Sequence, residues 1–257
     1  MPKLILRCNY LKNSPPAHLA NYINYIGTRE GVEKLAGNGA VTKGQRELIQ
    51  KLLTDFPDAV ELFEYEDYCK TPTLGTASAF ISMALDANLH EIDPESGYMQ
   101  YIATRPRVQN RGTHGLFSSA TAVDLASAIS ELEAHEGNVW TIIYSLRRED
   151  ADRLEYDNAD AWRTLLMENA PTLAKSMKIS LDNFHWYAAF HDEGHHPHIH
   201  MMVWSDDPKE GFLTKGGIAA MRSKLTNAIF RDEMQQIYER KDVAYSDLVE
   251  AAQNAMR

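Results

Sequence analysis

Two short runs rich in aromatic and apolar residues, 186–191 and 198–205, constrain the fold of this chain more than any other feature of its sequence. The six residues between them include Gly194 and Pro197. Two such runs around a short break with turn-forming residues are typical of a β-hairpin. Strand and helix patterns are mixed along the rest of the chain. We therefore predict an α+β fold in which a central antiparallel sheet carries this hairpin and is flanked by helices.

Further strands and helices are predicted from the spacing of apolar residues along the chain. The strands cover residues 3–11 and 138–146. The helices cover 18–28, 42–56, 76–88, 123–134 and 159–177, with another from 218 onwards, a loop over 110–119 and a turn over 211–217. No linker-like stretch divides the sequence. We expect one domain over residues 1–257, in which residues around 42–135 could form a helical insertion.

The distribution of charge limits which partners the protein can bind. The formal net charge is −10, but residues 1–50 contain seven Lys and Arg against three acids. Residues 101–119 contain three arginines and no acid. Because exposed charges are screened beyond about 8 Å at physiological salt, an acidic protein can still bind a polyanion in a local basic groove. A polyanionic partner would therefore bind at one site and not over the whole surface.

Cysteine content and hydropathy indicate the cellular compartment. Cys8 and Cys69 are too few for a disulfide framework. The sequence contains no apolar run of about 20 residues, the length that spans a bilayer. We expect a cytoplasmic protein.

The hairpin segment also predicts a metal site, because residues 190–200 contain five of the ten histidines. Side chains alternate between the two faces of a strand, so His198 and His200 point the same way. His191 ends the partner strand and can reach the same face across the pair. Three neutral imidazoles suit a divalent transition metal and leave coordination positions for water or substrate.

Two details of the segment refine this metal site. The metalloprotease pattern His-Glu-x-x-His and its inverted form are both absent, and Gly194 and Pro197 oppose a helix there. Asp192 and Glu193 are the nearest carboxylates that could orient the ligand histidines. His195 and His196 are assigned to the turn and not to the metal.

A metal ion of this kind can act on a phosphoryl oxygen, but the reaction also needs a nucleophile. A tyrosine hydroxyl can form a covalent phosphodiester and so split strand cleavage into two reversible steps. Activated water is the alternative. The candidate tyrosines lie near basic residues: Tyr22, Tyr25, Tyr98, Tyr101 and Tyr238.

At this point the sequence resembles a known family. His191, His198 and His200, with an acid at the third position and Pro197 before the last pair, resemble the third motif of MobP-type conjugative relaxases of the HUH endonuclease superfamily. Residues 25–31, Tyr-Ile-Gly-Thr-Arg-Glu-Gly, resemble the first motif of those relaxases, which carries the nucleophilic tyrosine. Further similar runs extend the resemblance over nearly the whole chain: residues 101–107, 114–118, 145–150 and 213–217.

The resemblance implies a site and a reaction. His191, His198 and His200 would hold a divalent metal, Mg or Mn in the cell and Zn, Ni or Co in a crystal. Tyr25 would attack single-stranded DNA at an origin of transfer and leave a 5′-phosphotyrosine, with Glu193 as a further catalytic residue. Four arginines would contact the DNA: Arg29, Arg105, Arg107 and Arg111.

The resemblance also implies a biological setting. The protein would serve conjugative transfer or mobilisation of plasmids or integrative elements. It would work with accessory relaxosome proteins and a coupling protein. Such relaxases usually continue into a C-terminal region, so this chain would be the nicking domain.

The sequence also allows other functions and other nucleophiles. In rolling-circle replication initiators of the same superfamily the tyrosine follows the histidine motif, and Tyr238-Glu-Arg-Lys241 fits their pattern. Among relaxase readings, Tyr101 competes with Tyr25 because it lies in a similar local motif. A phosphodiesterase that uses metal-activated water, and a non-catalytic DNA-binding module, are the alternatives from other classes.

Overall fold

The computed structural model describes residues 3–10, 39–88, 99, 102–103, 108–109, 114–135, 137–192, 194, 196–231, 233 and 235. The helix predicted over residues 18–28 lies outside these residues, as does most of the C-terminal part of the helix predicted from 218 onwards. The division into one domain with a helical insertion stays a prediction.

The centre of the fold is a five-stranded antiparallel sheet, which confirms the predicted α+β class. The strands are β1 (Ile5–Tyr10), β2 (Leu116–Phe117), β3 (Trp140–Ser145), β4 (Phe184–His191) and β5 (His198–Ser205). They lie in the order β1-β3-β5-β4-β2, so the predicted hairpin β4–β5 forms and β5 is the central strand. The sequence predicted a loop where β2 lies. That prediction was wrong because a strand that pairs only two residues is too short to show alternation.

Helices flank the sheet, and those predicted within the described residues are confirmed to within a few residues. They are α1 (Lys43–Asp55), α2 (Phe63–Lys70), α3 (Leu74–Asn88), α4 (Leu125–Glu133), α5 (Arg148–Arg153), α6 (Ala159–Ser176) and α7 (Lys215–Ile229). The sequence pattern did not predict α2 or α5, and α7 begins three residues earlier than expected because Thr214 caps it. Among the helices that the structure describes, none has both the length and the apolar content needed to cross a bilayer.

Local hydrogen bonds explain where the main helices begin. The hydroxyl of Thr42 accepts from the Gln45 backbone N–H at 3.1 Å, and the Gln45 side chain accepts from the Thr42 N–H at 3.1 Å. This reciprocal capping box satisfies two backbone donors that a helix N-terminus otherwise leaves unpaired. Asn158 caps α6 by accepting from the Ala161 N–H at 2.9 Å.

The alternation of side chains in β5 divides the core into two layers. Ile199, Met201 and Val203 pack against buried side chains of α6 and α7. Met202 and Trp204 point to the opposite face and pack against buried side chains of α1, α3 and α4. His198 and His200 alternate with the first group, so they lie on the face covered by α1 and α3.

Candidate metal centre

Three histidines meet on one face of the hairpin, as the sequence predicted. His191 lies opposite His198, and Ala189 lies opposite His200, so all three imidazoles leave the sheet on the same side. Their ring centroids are 4.6–5.2 Å apart. One ring nitrogen from each residue lies within 4.8 Å of the other two, and all three side chains are fully buried.

Backbone carbonyls determine the tautomers of two of these rings. Nε2 of His191 donates to the carbonyl of Ile102 at 2.9 Å, and Nδ1 of His198 donates to the carbonyl of His196 at 3.0 Å. A carbonyl only accepts, so those nitrogens carry the protons. In a neutral imidazole the second nitrogen then has a lone pair. Nδ1 of His191 and Nε2 of His198 are therefore the atoms that can bind a metal.

The donor set fits a divalent cation. Metal–nitrogen bonds of about 2.1 Å place neighbouring ligand nitrogens about 3.0–3.4 Å apart. The 4.8 Å limit on the present separations means that the three nitrogens need to approach by about 1.8 Å at most. Neutral imidazoles with fixed tautomers, oriented by outer hydrogen bonds, are typical of metal ligands. Three protein ligands also leave positions for water or a substrate oxygen.

The expectation that Asp192 orients the ligand histidines is corrected. Its carboxylate binds the guanidinium of Arg148 at 2.5 Å, and its side chain is 56% exposed. Backbone carbonyls orient His191 and His198 instead. Every residue has a carbonyl, so the sequence does not indicate which ones take this role.

His196, two residues before His198, makes its side-chain contacts with α2. Its Nε2 binds the Asp67 carboxylate of α2 at 2.8 Å, and its ring stacks on Phe63 with centroids 5.2 Å apart. His196 is 4% exposed. Its assignment to the turn and not to the metal is consistent with the three-histidine cluster. Its contact with α2 could not be read from the sequence.

Arg147 joins α2 to the end of β3. Its guanidinium binds the carboxylates of Glu66 at 3.0 Å and Asp67 at 3.3 Å, and it lies over the Phe63 ring at 4.6 Å. Burial alone would raise the pKa of Asp67, but the hydrogen bond and charge of His196 and the charge of Arg147 lower it overall. Burial would also raise the pKa of Glu66. The hydrogen bonds and charges of Lys3 and Arg147 outweigh this effect and lower that pKa overall.

The face of the sheet that carries the three histidines continues across β3 to β1 with two polar residues that sequence reasoning missed. Ser145 lies opposite His198, and it is 2% exposed. Arg7 lies opposite Ile143, which in turn lies opposite His200. The Arg7 guanidinium is buried and donates to Asn88 at 3.1 Å. Alternation in β1 and β3 could have placed both residues on this face once the strand pairing was known.

The remaining predicted site residues lie outside the described residues. They are Tyr25, Glu193, Arg29, Arg105, Arg107 and Arg111, together with the alternative tyrosines Tyr22, Tyr98, Tyr101 and Tyr238. Their roles stay predictions. Ile102, whose carbonyl holds His191, directly follows Tyr101 in the sequence.

Comparison with models of protein families matches residues 1–257 to the family described as MobL relaxases. Neither the curated proteins nor the solved structures contain a match to the chain.

Proposed function

The chain belongs to the MobL relaxases, and from this premise we propose that it is a metal-dependent DNA nickase that uses a tyrosine as its nucleophile. The family supports nicking of DNA. The observation that carries the finer proposal is the buried cluster of His191, His198 and His200, with two tautomers set by backbone carbonyls. The MobP-type and HUH assignments belong to this proposal because they rest on the arrangement of those histidines.

The three imidazoles would hold a divalent ion, Mg or Mn in the cell. When bound, the ion supplies Lewis-acid stabilisation of the charge that develops on a phosphoryl oxygen. The protein orients the rings of His191 and His198, because the N–H of each ring that points away from the cluster is bound to a backbone carbonyl. Pre-orientation of this kind lowers the reorganisation that metal binding requires.

In the proposed reaction the Tyr25 hydroxyl attacks one phosphorus atom of single-stranded DNA at an origin of transfer. A bond forms between the phenolic oxygen and phosphorus, and the bond from phosphorus to the 3′ oxygen breaks. The phenol gives up its proton, for which Glu193 is the proposed acceptor, and the leaving 3′ oxygen gains one. The products are a 5′-phosphotyrosine and a free 3′-hydroxyl.

The substrate and partners follow from the same proposal. Arg29, Arg105, Arg107 and Arg111 would contact phosphates or bases of the bound strand. The nicked strand would be transferred in conjugation or mobilisation of a plasmid or integrative element. Accessory relaxosome proteins and a coupling protein would be the protein partners.

A covalent-adduct experiment tests this function. The protein is incubated with Mn²⁺ and single-stranded oligonucleotides that tile the origin region of the element that encodes it. We expect one oligonucleotide to form a denaturant-resistant adduct, and mass spectrometry to place the DNA on Tyr25. Tyr25→Phe should abolish the adduct, whereas Tyr101→Phe and Tyr238→Phe should retain it.

The alternatives give different results in the same experiment. Loss of the adduct only in Tyr101→Phe or Tyr238→Phe would contradict the assignment of Tyr25, and the second result would favour a replication initiator. Cleavage that persists in every tyrosine variant without an adduct would indicate a phosphodiesterase that uses water.

A further inference from the structure

We infer that Asp67 is a positioning residue for the metal ligand His198 and that it acts through His196. This inference rests on the proposed function, because it assumes that the histidine cluster holds a metal. Asp67 is 129 residues from His196 in the sequence, and it belongs to a helix that contributes no ligand to the cluster.

The orientation of His198 depends on the backbone at His196. Nδ1 of the His198 ring donates a hydrogen bond to the His196 carbonyl at 3.0 Å, and this bond orients the ring. A displacement of that carbonyl would turn the ring and move Nε2 relative to the other two ligands. Pro197, the residue between them, has its own carbonyl bound to the Leu146 N–H at 3.1 Å. The other end of this short segment is therefore anchored to the chain that follows β3.

The side chain of His196 is what fixes its own backbone. The imidazole is buried, and it is held in its plane by the Phe63 ring and along its Nε2 direction by the Asp67 carboxylate at 2.8 Å. A hydrogen bond to a carboxylate is shorter and stronger than one between neutral groups. Removal of the Asp67 carboxylate takes this acceptor from the buried Nε2 of His196. Because a buried donor without its acceptor is costly, we expect His196 to move toward another acceptor.

Asp67 in turn is tied to the strand beside the metal ligands. Arg147 binds Asp67 at 3.3 Å and lies two residues after Ser145, the β3 residue that pairs with His198. The contacts therefore close a ring: His198, His196, Asp67, Arg147 and back through β3 to His198. In a closed ring of contacts, each member has few directions in which it can move. The structure thus couples the position of Asp67 to that of His198.

The test measures metal affinity directly, by titration of the apo protein with Co²⁺ and observation of its visible absorption bands. Asp67→Ala should weaken Co²⁺ binding by about tenfold, the lower end of the range for residues that orient ligands. Asp67→Asn should recover most of this loss, because an amide oxygen can still accept from Nε2 of His196. The absorption band of Asp67→Ala should also shift, since a turned His198 changes the ligand geometry.

Glu66→Ala is the matched control. Glu66 neighbours Asp67 on α2 and binds Arg147 and Lys3, and its hydrogen bonds include none to His196. It should keep Co²⁺ affinity within twofold of the wild-type protein. Asp67→Ser, which is too short to reach His196, replaces the alanine variant if that variant does not fold, and should show the same loss.

The outcomes separate this inference from the proposed function. A wild-type protein that binds no Co²⁺ would overturn the metal-dependent function and the inference with it. Wild-type binding together with unchanged affinity in Asp67→Ala, or an equal loss in Glu66→Ala, would overturn the inference alone.

Discussion

His191 and His198 lie directly opposite each other at the turn end of the hairpin, with ring centroids 5.2 Å apart. This pairing decides whether the His191 imidazole can join those of His198 and His200, which share one face of β5. A slip of one residue in the register would move His198 and His200 to the opposite face of the sheet, because side chains alternate along a strand. The common face of the three histidines therefore depends on the register between β4 and β5.

The first prediction concerns the ligands. His198→Ala and His200→Ala should each lose more than the 10- to 100-fold in metal affinity that changes in outer residues cause, since a ligand itself is removed. Isothermal titration with Mn²⁺ measures this. His185→Ala is the control, because His185 lies on β4 but its partner is the exposed Asp206, at 2.7 Å. Unfolding of both ligand variants, shown by circular dichroism, would instead indicate that the histidines stabilise the hairpin.

The second prediction concerns stability. A metal that binds only the folded protein stabilises it by about 2.7 kcal/mol when its concentration is 100 times the Kd. The thermal midpoint of the wild-type protein should rise with added Mn²⁺ and return to its starting value with a chelator. His200→Ala should show no such rise. A thermal midpoint of the wild-type protein that does not change with added Mn²⁺ would contradict binding at the cluster.

The third prediction concerns acid. The pKa values of Glu66 and Asp67 are lower in the folded protein than their ordinary values of 4.5 and 3.8. A carboxyl whose pKa is lowered by folding stabilises the folded state above its ordinary pKa, and that contribution is lost as the pH falls through the folded value. The free energy of unfolding should therefore decrease below about pH 4.5.

Urea unfolding between pH 2 and pH 7 measures this decrease. The double variant Glu66→Gln, Asp67→Asn should show a smaller decrease over the same range, since neither side chain titrates. Equal slopes in the wild type and in Glu66→Gln, Asp67→Asn would contradict the lowered pKa values.

The fourth prediction concerns DNA. If each of the four proposed arginines contacts one phosphate, the logarithm of the affinity for single-stranded DNA should fall with the logarithm of salt concentration with a slope of about −2.8, since each contact contributes about −0.7. Arg105→Ala should make the slope smaller by about 0.7. Arg153→Ala should leave it unchanged, because Arg153 is already paired with Asp150 at 2.6 Å. Fluorescence anisotropy measures the slope, and an affinity independent of salt would argue against a phosphate-lined groove.

Features that depend on neighbours along the chain could be predicted from the sequence. Strand periodicity placed His198 and His200 on one face, and the turn residues Gly194 and Pro197 made His191 their partner across the hairpin. Thr42 and Gln45, three residues apart, marked the start of α1. Each of these follows from local geometry, which repeats with a fixed period.

The groups around the three histidines, in contrast, follow from tertiary packing. The carbonyl that holds His191 comes from Ile102, 89 residues away, and the carboxylate that holds His196 comes from Asp67, 129 residues away. Contacts of such separation leave no periodic trace in a single sequence, because they depend on how elements pack and not on spacing along the chain. The sequence therefore specified the three histidines that cluster, and the packing of α2 and of the chain at Ile102 against the hairpin specified their surroundings.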